Sequence, residues 1–127
     1  MKVRVTGAGF AAVNGIYCRK PFSQVPTGFA ATCKKMGWPS EATWKKLANR
    51  GCDWFASEQN DSYIYLHVDG QWWIDGPDGA GIYVAEQHQE QGGKDDDTAV
   101  PPQQGWKPLV PRVEPLPHVH VLFDDLS

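Results

Sequence analysis

The stretch that decides the fold is Ser62–Glu86, SYIYLHVDGQWWIDGPDGAGIYVAE. From Ser62 to Val68 the side chains alternate, with Tyr63, Tyr65 and His67 on one face and Ile64, Leu66 and Val68 on the other. That period of two is the mark of a β-strand. Asp69-Gly70 reads as a type I′ hairpin turn, and Gln71–Asp75 carries the return strand. Gly76-Pro77-Asp78-Gly79 turns the chain again, and Gly81–Glu86 supplies a third strand. Adjacent residues of a strand face opposite ways, so Trp72 and Trp73 cannot share an environment. One is expected in the core. The other is expected to be exposed, or covered by a proline-rich run through Trp106.

Working outward, Lys2–Thr6 alternates around Val3 and Val5, and a second strand is expected over Ile16–Arg19 after the turn pair Asn14-Gly15. Asp53–Ser57 is a further strand. Between these lies a different pattern. Thr27 is placed to cap a helix running through Phe29, Ala30, Cys33 and Met36, stopped by Gly37. Ser40 is placed to cap a second, with Glu41 in its first turn and Trp44, Leu47 and Ala48 on one face. Gly51 is expected to end it.

Downstream, 87–104 is rich in Gln, Gly, Asp and Pro and contains Asp95-Asp96-Asp97, which predicts a flexible loop. Prolines from Pro101 to Pro117 predict an extended tail over 105–127 that wraps the domain. His118–Phe123 alternates once more, as a closing strand at a sheet edge.

The chain has 127 residues, 41% hydrophobic and 12% aromatic, with six tryptophans. This suits a single domain, 1–127, with a packed core. The expected class is α+β, mainly an antiparallel sheet, barrel- or sandwich-like, with a two-helix insertion at 27–51. Trp44, Leu47, Ile64, Leu66, Ile74, Ile82 and Tyr83 are the expected core. No apolar run approaches the roughly 18 residues needed to span a bilayer. The first residues lack the apolar centre of a signal peptide. Three cysteines without a CxxC pair suit reduced thiols. The expectation is a cytoplasmic protein with no membrane partner.

Several segments line up in order: Val5-Thr6-Gly7-Ala8-Gly9, Val13-Asn14-Gly15-Ile16-Tyr17, Gly70-Gln71-Trp72-Trp73-Ile74, Ile82-Tyr83 and Pro101-Pro102-Gln103-Gln104-Gly105-Trp106. Together they resemble a small VNG-x-Y / W-x-I β module of largely uncharacterised algal and protist proteins. The resemblance covers both ends of the chain and skips about a third of it, the helical segment standing as an insertion. It implies an antiparallel β domain with a structural turn at Asn14-Gly15, and it carries over no catalytic residue or cofactor.

Candidate chemistry is sparse. His118 and His120 fall on one face of a strand and could hold Zn²⁺ with Asp124, or with His67 across the sheet. Two solvated histidines on an edge are the simpler reading, and no third ligand is specified. Cys18, Cys33 or Cys52 could pair with His67, with Asp53 beside Cys52, but no nucleophile signature surrounds them. Gly7-Ala8-Gly9 departs from a dinucleotide fingerprint at Ala12. Neither a catalytic residue nor a cofactor is therefore assigned, and a metal-dependent or hydrolytic enzyme ranks last.

Charge is more informative. Pro26–Arg50 carries five basic residues and one acid, a balance of +4, against −7 elsewhere. Lys34, Lys35, Lys45, Lys46 and Arg50, with Trp38 as a stacking platform, form a candidate surface for nucleic acid or an acidic partner. The bland alternative is a solvated outer helix face. The leading expectation is a non-catalytic binding or protein-interaction module. Its aromatic contact surface would be Tyr63, Tyr65, Trp72 and Trp73, and its partner a protein or peptide before a carbohydrate or nucleic acid.

Overall fold

Alternating strands joined by short turns pair with their neighbours in sequence, and all the described strands but the last do so; the last pairs with the first. The structure, a computed structural model, describes residues 1–48, 52–87 and 100–122. Its strands are β1 (Lys2–Thr6), β2 (Gly15–Lys20), β3 (Trp54–Ser57), β4 (Tyr63–Leu66), β5 (Gln71–Asp75), β6 (Gly81–Glu86), β7 (Lys107–Pro108) and β8 (His118–Leu122). They form one sheet in the order β7-β6-β5-β4-β3-β2-β1-β8, every described pair antiparallel. Helices α1 (Thr27–Met36) and α2 (Ser40–Leu47) are inserted between β2 and β3. The α+β class and the two-helix insertion stand as expected, and β8 takes its place at the edge beside β1.

The sheet curls into a half-barrel. Val119 on β8, Val3 and Val5 on β1, Phe55 on β3, Trp72 on β5 and Tyr83 on β6 share one buried cluster. A flat sheet would hold strands that far apart out of contact. The curl is closed over by the tail, which contributes Trp106 and Val113 to the same cluster. Trp106 donates its indole N–H to the Pro102 carbonyl at 3.0 Å, and Leu109 N–H reaches the Ile82 carbonyl at 2.8 Å. The opposite face of β3 and β4 packs against the helices, with Trp44 at the centre of Phe22, Phe29, Trp54 and Tyr65. The Trp44 and Trp54 indoles donate to carbonyls of Phe22, Pro21 and Gln24, which anchors the irregular crossing before α1.

Several local expectations are corrected. Asn14-Gly15 is not a two-residue turn: β1 reaches β2 through a 3₁₀ turn at Ala11–Val13, and Asn14 has an ordinary φ of −74°. Its carboxamide instead clamps Ala8, accepting from the N–H at 3.0 Å and donating to the carbonyl at 3.1 Å. The hairpin at Asp69-Gly70 is real, but only Gly70 takes a positive φ (+88°). With Gly70 N–H on the His67 carbonyl, this is a type I turn closed by a left-handed residue. Gly76–Ala80 repeats the arrangement with Gly79 in the left-handed position.

Neither helix is capped by its expected side chain. The carbonyls of Pro26 and Pro39 accept the first helical N–H groups, so Thr27 and Ser40 are already helical. Gly37 does close α1, left-handed, with Gly37 N–H on Lys34 and Trp38 N–H on Cys33, a Schellman pattern. Helix α2 ends at Leu47, short of the Gly51 expected to stop it: Ala48 is already extended (φ −88°, ψ 148°) and bridges His67. Leu47 itself is only half-buried, whereas the other expected core residues are buried. Within 87–104, residues 88–99 lie outside the described residues.

The tail crosses the β1–β2 loop at two points that admit no substitute. A Cβ on Gly9 would fall 2.2 Å from the Glu114 carbonyl oxygen, and Gly9 N–H donates to Pro115 at 2.8 Å. The Tyr83 hydroxyl donates to the Val113 carbonyl at 2.5 Å and accepts the Phe10 N–H at 3.1 Å. Tyr83→Phe strands both backbone groups and should cost about 1–3 kcal/mol in a denaturant titration. Gly9→Ala should cost more, because the clash is with backbone that cannot rotate away.

Candidate functional site

The aromatic hairpin is placed first by its burial. Trp72 is 0% exposed, Tyr63 1% and Tyr65 4%. Trp72 and Ile74 face the half-barrel core, with the Trp72 indole N–H on Gln87, while Tyr63 and Tyr65 are covered by the helices. These three are thus withdrawn from any surface contact, a correction to the expected aromatic patch. The reason is that both faces of the sheet are covered, one by the tail and one by the helices.

Trp73 alone of the four keeps partial exposure, and its ring is already engaged. It stacks on His67 with centroids 4.7 Å apart, and its indole N–H reaches Asp69 Oδ2 at 3.3 Å. On β6 its six-membered ring runs against Gly81, where a Cβ would lie 2.9 Å from Cζ3. His67 Nδ1 accepts the Asp69 N–H at 3.1 Å, so the imidazole is part of the turn. A Trp fixed over a strand glycine shields the backbone that the glycine would otherwise expose. Gly81→Ala should lower stability by about 1–3 kcal/mol, since the added methyl must push aside a ring held on two other sides.

The free aromatic surface lies elsewhere, at the corner between the helices. The Schellman closure of α1 turns the chain outward at Trp38, which is 50% exposed beside Met36 at 56%. Pro39 then starts α2, and Ala42, Thr43 and Lys46 follow at i+3, i+4 and i+7 on one helical face. With Trp38 and Leu47 they line a groove of about 400 Å³. Val68 N–H donates to the Leu47 carbonyl at 2.7 Å, which brings a third exposed apolar residue beside the Leu47 end. Lys34, Lys35, Lys45 and Lys46 are all exposed on the same two helices. Arg50 lies outside the described residues.

Of this surface, the sequence reading named Trp38 and the lysines but missed Pro39, Ala42 and Thr43. A signal was available. An outward helix face bearing Ala and Thr beside Pro is unusually poor in charge for a solvated one.

The remaining candidates are dispersed or occupied. His118 and His120 are exposed on β8, opposite Thr6 and Arg4. Strands β1, β2 and β3 separate them from β4, so His67 is not their third ligand. Asp124 lies outside the described residues, among which no group of three metal-ligating side chains comes together. Cys18 donates its thiol to Glu58 Oε2 at 2.8 Å; that bond above all pushes the thiol up and draws the carboxyl down. Burial pushes the Cys33 thiol up. A thiol held protonated is a weak nucleophile. In the Gly7-Ala8-Gly9 loop, the Ala8 and Gly9 N–H groups are spent on Asn14 and Pro115.

No family model, curated protein or solved structure matches the chain. Among the described residues, no helix is long and apolar enough to cross a membrane.

Proposed function

We propose that this chain is a non-catalytic interaction module that binds an acidic protein segment at the corner of α1 and α2. An apolar side chain of the partner enters the groove beside Trp38, and its carboxylates meet the surrounding lysines. The observation that carries this reading is the groove itself, a concave apolar floor next to a half-exposed indole. Four exposed lysines stand on α1 and α2 against Glu41 alone. Large aromatic side chains in a pocket supply most of the energy of such contacts, while rim charges set orientation and rate.

The test is an indole and amide NMR titration with a short Glu-rich peptide carrying one Phe. The Trp38 indole should shift while those of Trp44, Trp54 and Trp72 stay in place. Trp38→Ala should weaken binding tenfold or more, because an anchor of this kind is worth about 2 kcal/mol. Its effect on stability should stay within about 0.5 kcal/mol, as for exposed positions generally. Lys46→Glu should weaken binding too, and added salt should reduce affinity moderately. A single-stranded oligonucleotide that shifts the same signals, with a steep salt dependence, would move the reading to nucleic acid. Failure of both ligands to shift Trp38 rejects the groove.

A further inference from the structure

We propose that Asp75 is a proton-operated latch on the helical layer: protonated, it lets α1 stay seated on β4 and β5, and loss of its proton loosens that layer. Asp75 is the last residue of β5, 4% exposed, and pairs in register with Tyr63 of β4. Its Oδ1 has no hydrogen-bond partner, and neither has the buried hydroxyl of Tyr63. Helix α1 packs against Tyr63, the partner of Asp75 across the ladder, and against the turn that follows Asp75. A Cβ on Gly28 would come within 3.1 Å of Tyr63 Cε1 and 3.3 Å of the Pro77 carbonyl oxygen, and Thr32 donates to the Asp78 carbonyl at 2.9 Å.

The titratable groups facing Asp75 are Tyr63 and Tyr65 from β4 and Asp78 from the adjoining turn, with Cys33 of α1 beside Tyr63. None is a cation, so a carboxylate here gains no compensating charge. Burial above all pushes Asp75 up to about 7, and the neighbouring Asp78 adds to the shift. When the layer opens, water restores the ordinary carboxylate range near 4. Between those two values the closed form holds the proton and the open form does not. Closure therefore weakens as pH rises from about 4 to about 7, and is constant above. The direction is opposite to that of a salt-bridged carboxylate.

Amide hydrogen exchange across that interval, corrected for its intrinsic pH dependence, tests this on the intact chain. Protection in α1 should fall about tenfold per pH unit between pH 5 and 7 and level off beyond. Amides of β1 and β2, on the far side of the sheet, should show a shallower dependence. Asp75→Asn should keep α1 protected and remove its pH dependence. Should that variant fail to fold, the carboxyl carbon of Asp75 in the wild-type chain decides by NMR. Titration near 4, or an α1 response that merely follows β1, overturns the latch.

Discussion

One phenol hydroxyl joins three parts of the chain that sequence holds far apart. Tyr83, on β6, is hydrogen-bonded both to Phe10 in the β1–β2 loop and to Val113 in the tail. An eight-stranded meander with β8 beside β1 and β7 beside β6 leaves the half-barrel with an open side. That side would expose Trp72, Ile74 and Val119 to water if nothing covered it. The tail covers it with Trp106 and Val113, and the Tyr83 hydroxyl and the close passage at Gly9 keep it there. Much of the core thus depends on a segment with little strand pairing of its own. Hydrogen bonds to its backbone substitute for the ladder it lacks.

The sheet is consequently covered on both faces. Aromatic residues that look exposed in an alternating pattern lie between sheet and helices or between sheet and tail. Most polar tips among them are satisfied locally, the Tyr63 hydroxyl apart: the Trp44, Trp54 and Trp106 indoles donate to loop carbonyls, and the Tyr17 hydroxyl donates to Val13. Asp75 is the other exception, a buried acid without a cation. Burying such a group costs free energy that replacement by a neutral side chain avoids. Its position beneath α1 links that cost to the seating of the helical layer.

The helical layer is where the surface changes character. Elsewhere two exposed cations are paired with acids, Lys2 with Glu58 and Arg19 with Asp53. On α1 and α2, lysines crowd the last turns, where the helix dipoles favour them, while the corner between the helices stays apolar. An apolar groove in a cationic frame complements a partner with the opposite arrangement.

Alternation in Ser62–Glu86 by itself determined the antiparallel meander and the division of Tyr63 and Tyr65 from Ile64 and Leu66. Gly37 likewise determined where α1 stops, because a left-handed closure suits glycine. These are local properties, set by side-chain period and backbone sterics. The turn at Asn14-Gly15 was misread because Asn14 serves a distant loop partner, Ala8, in preference to its own turn. What covers each face could not be read from period alone, since alternation states which side chains share a side and is silent on what lies against them. Only the tertiary structure decided that Trp72 is core, that Trp73 is pinned, and that Trp38 is the indole left free. The physical reason is that burial is set by contacts between segments separated along the chain, such as the tail on β6 and α1 on β4. No local pattern carries that information.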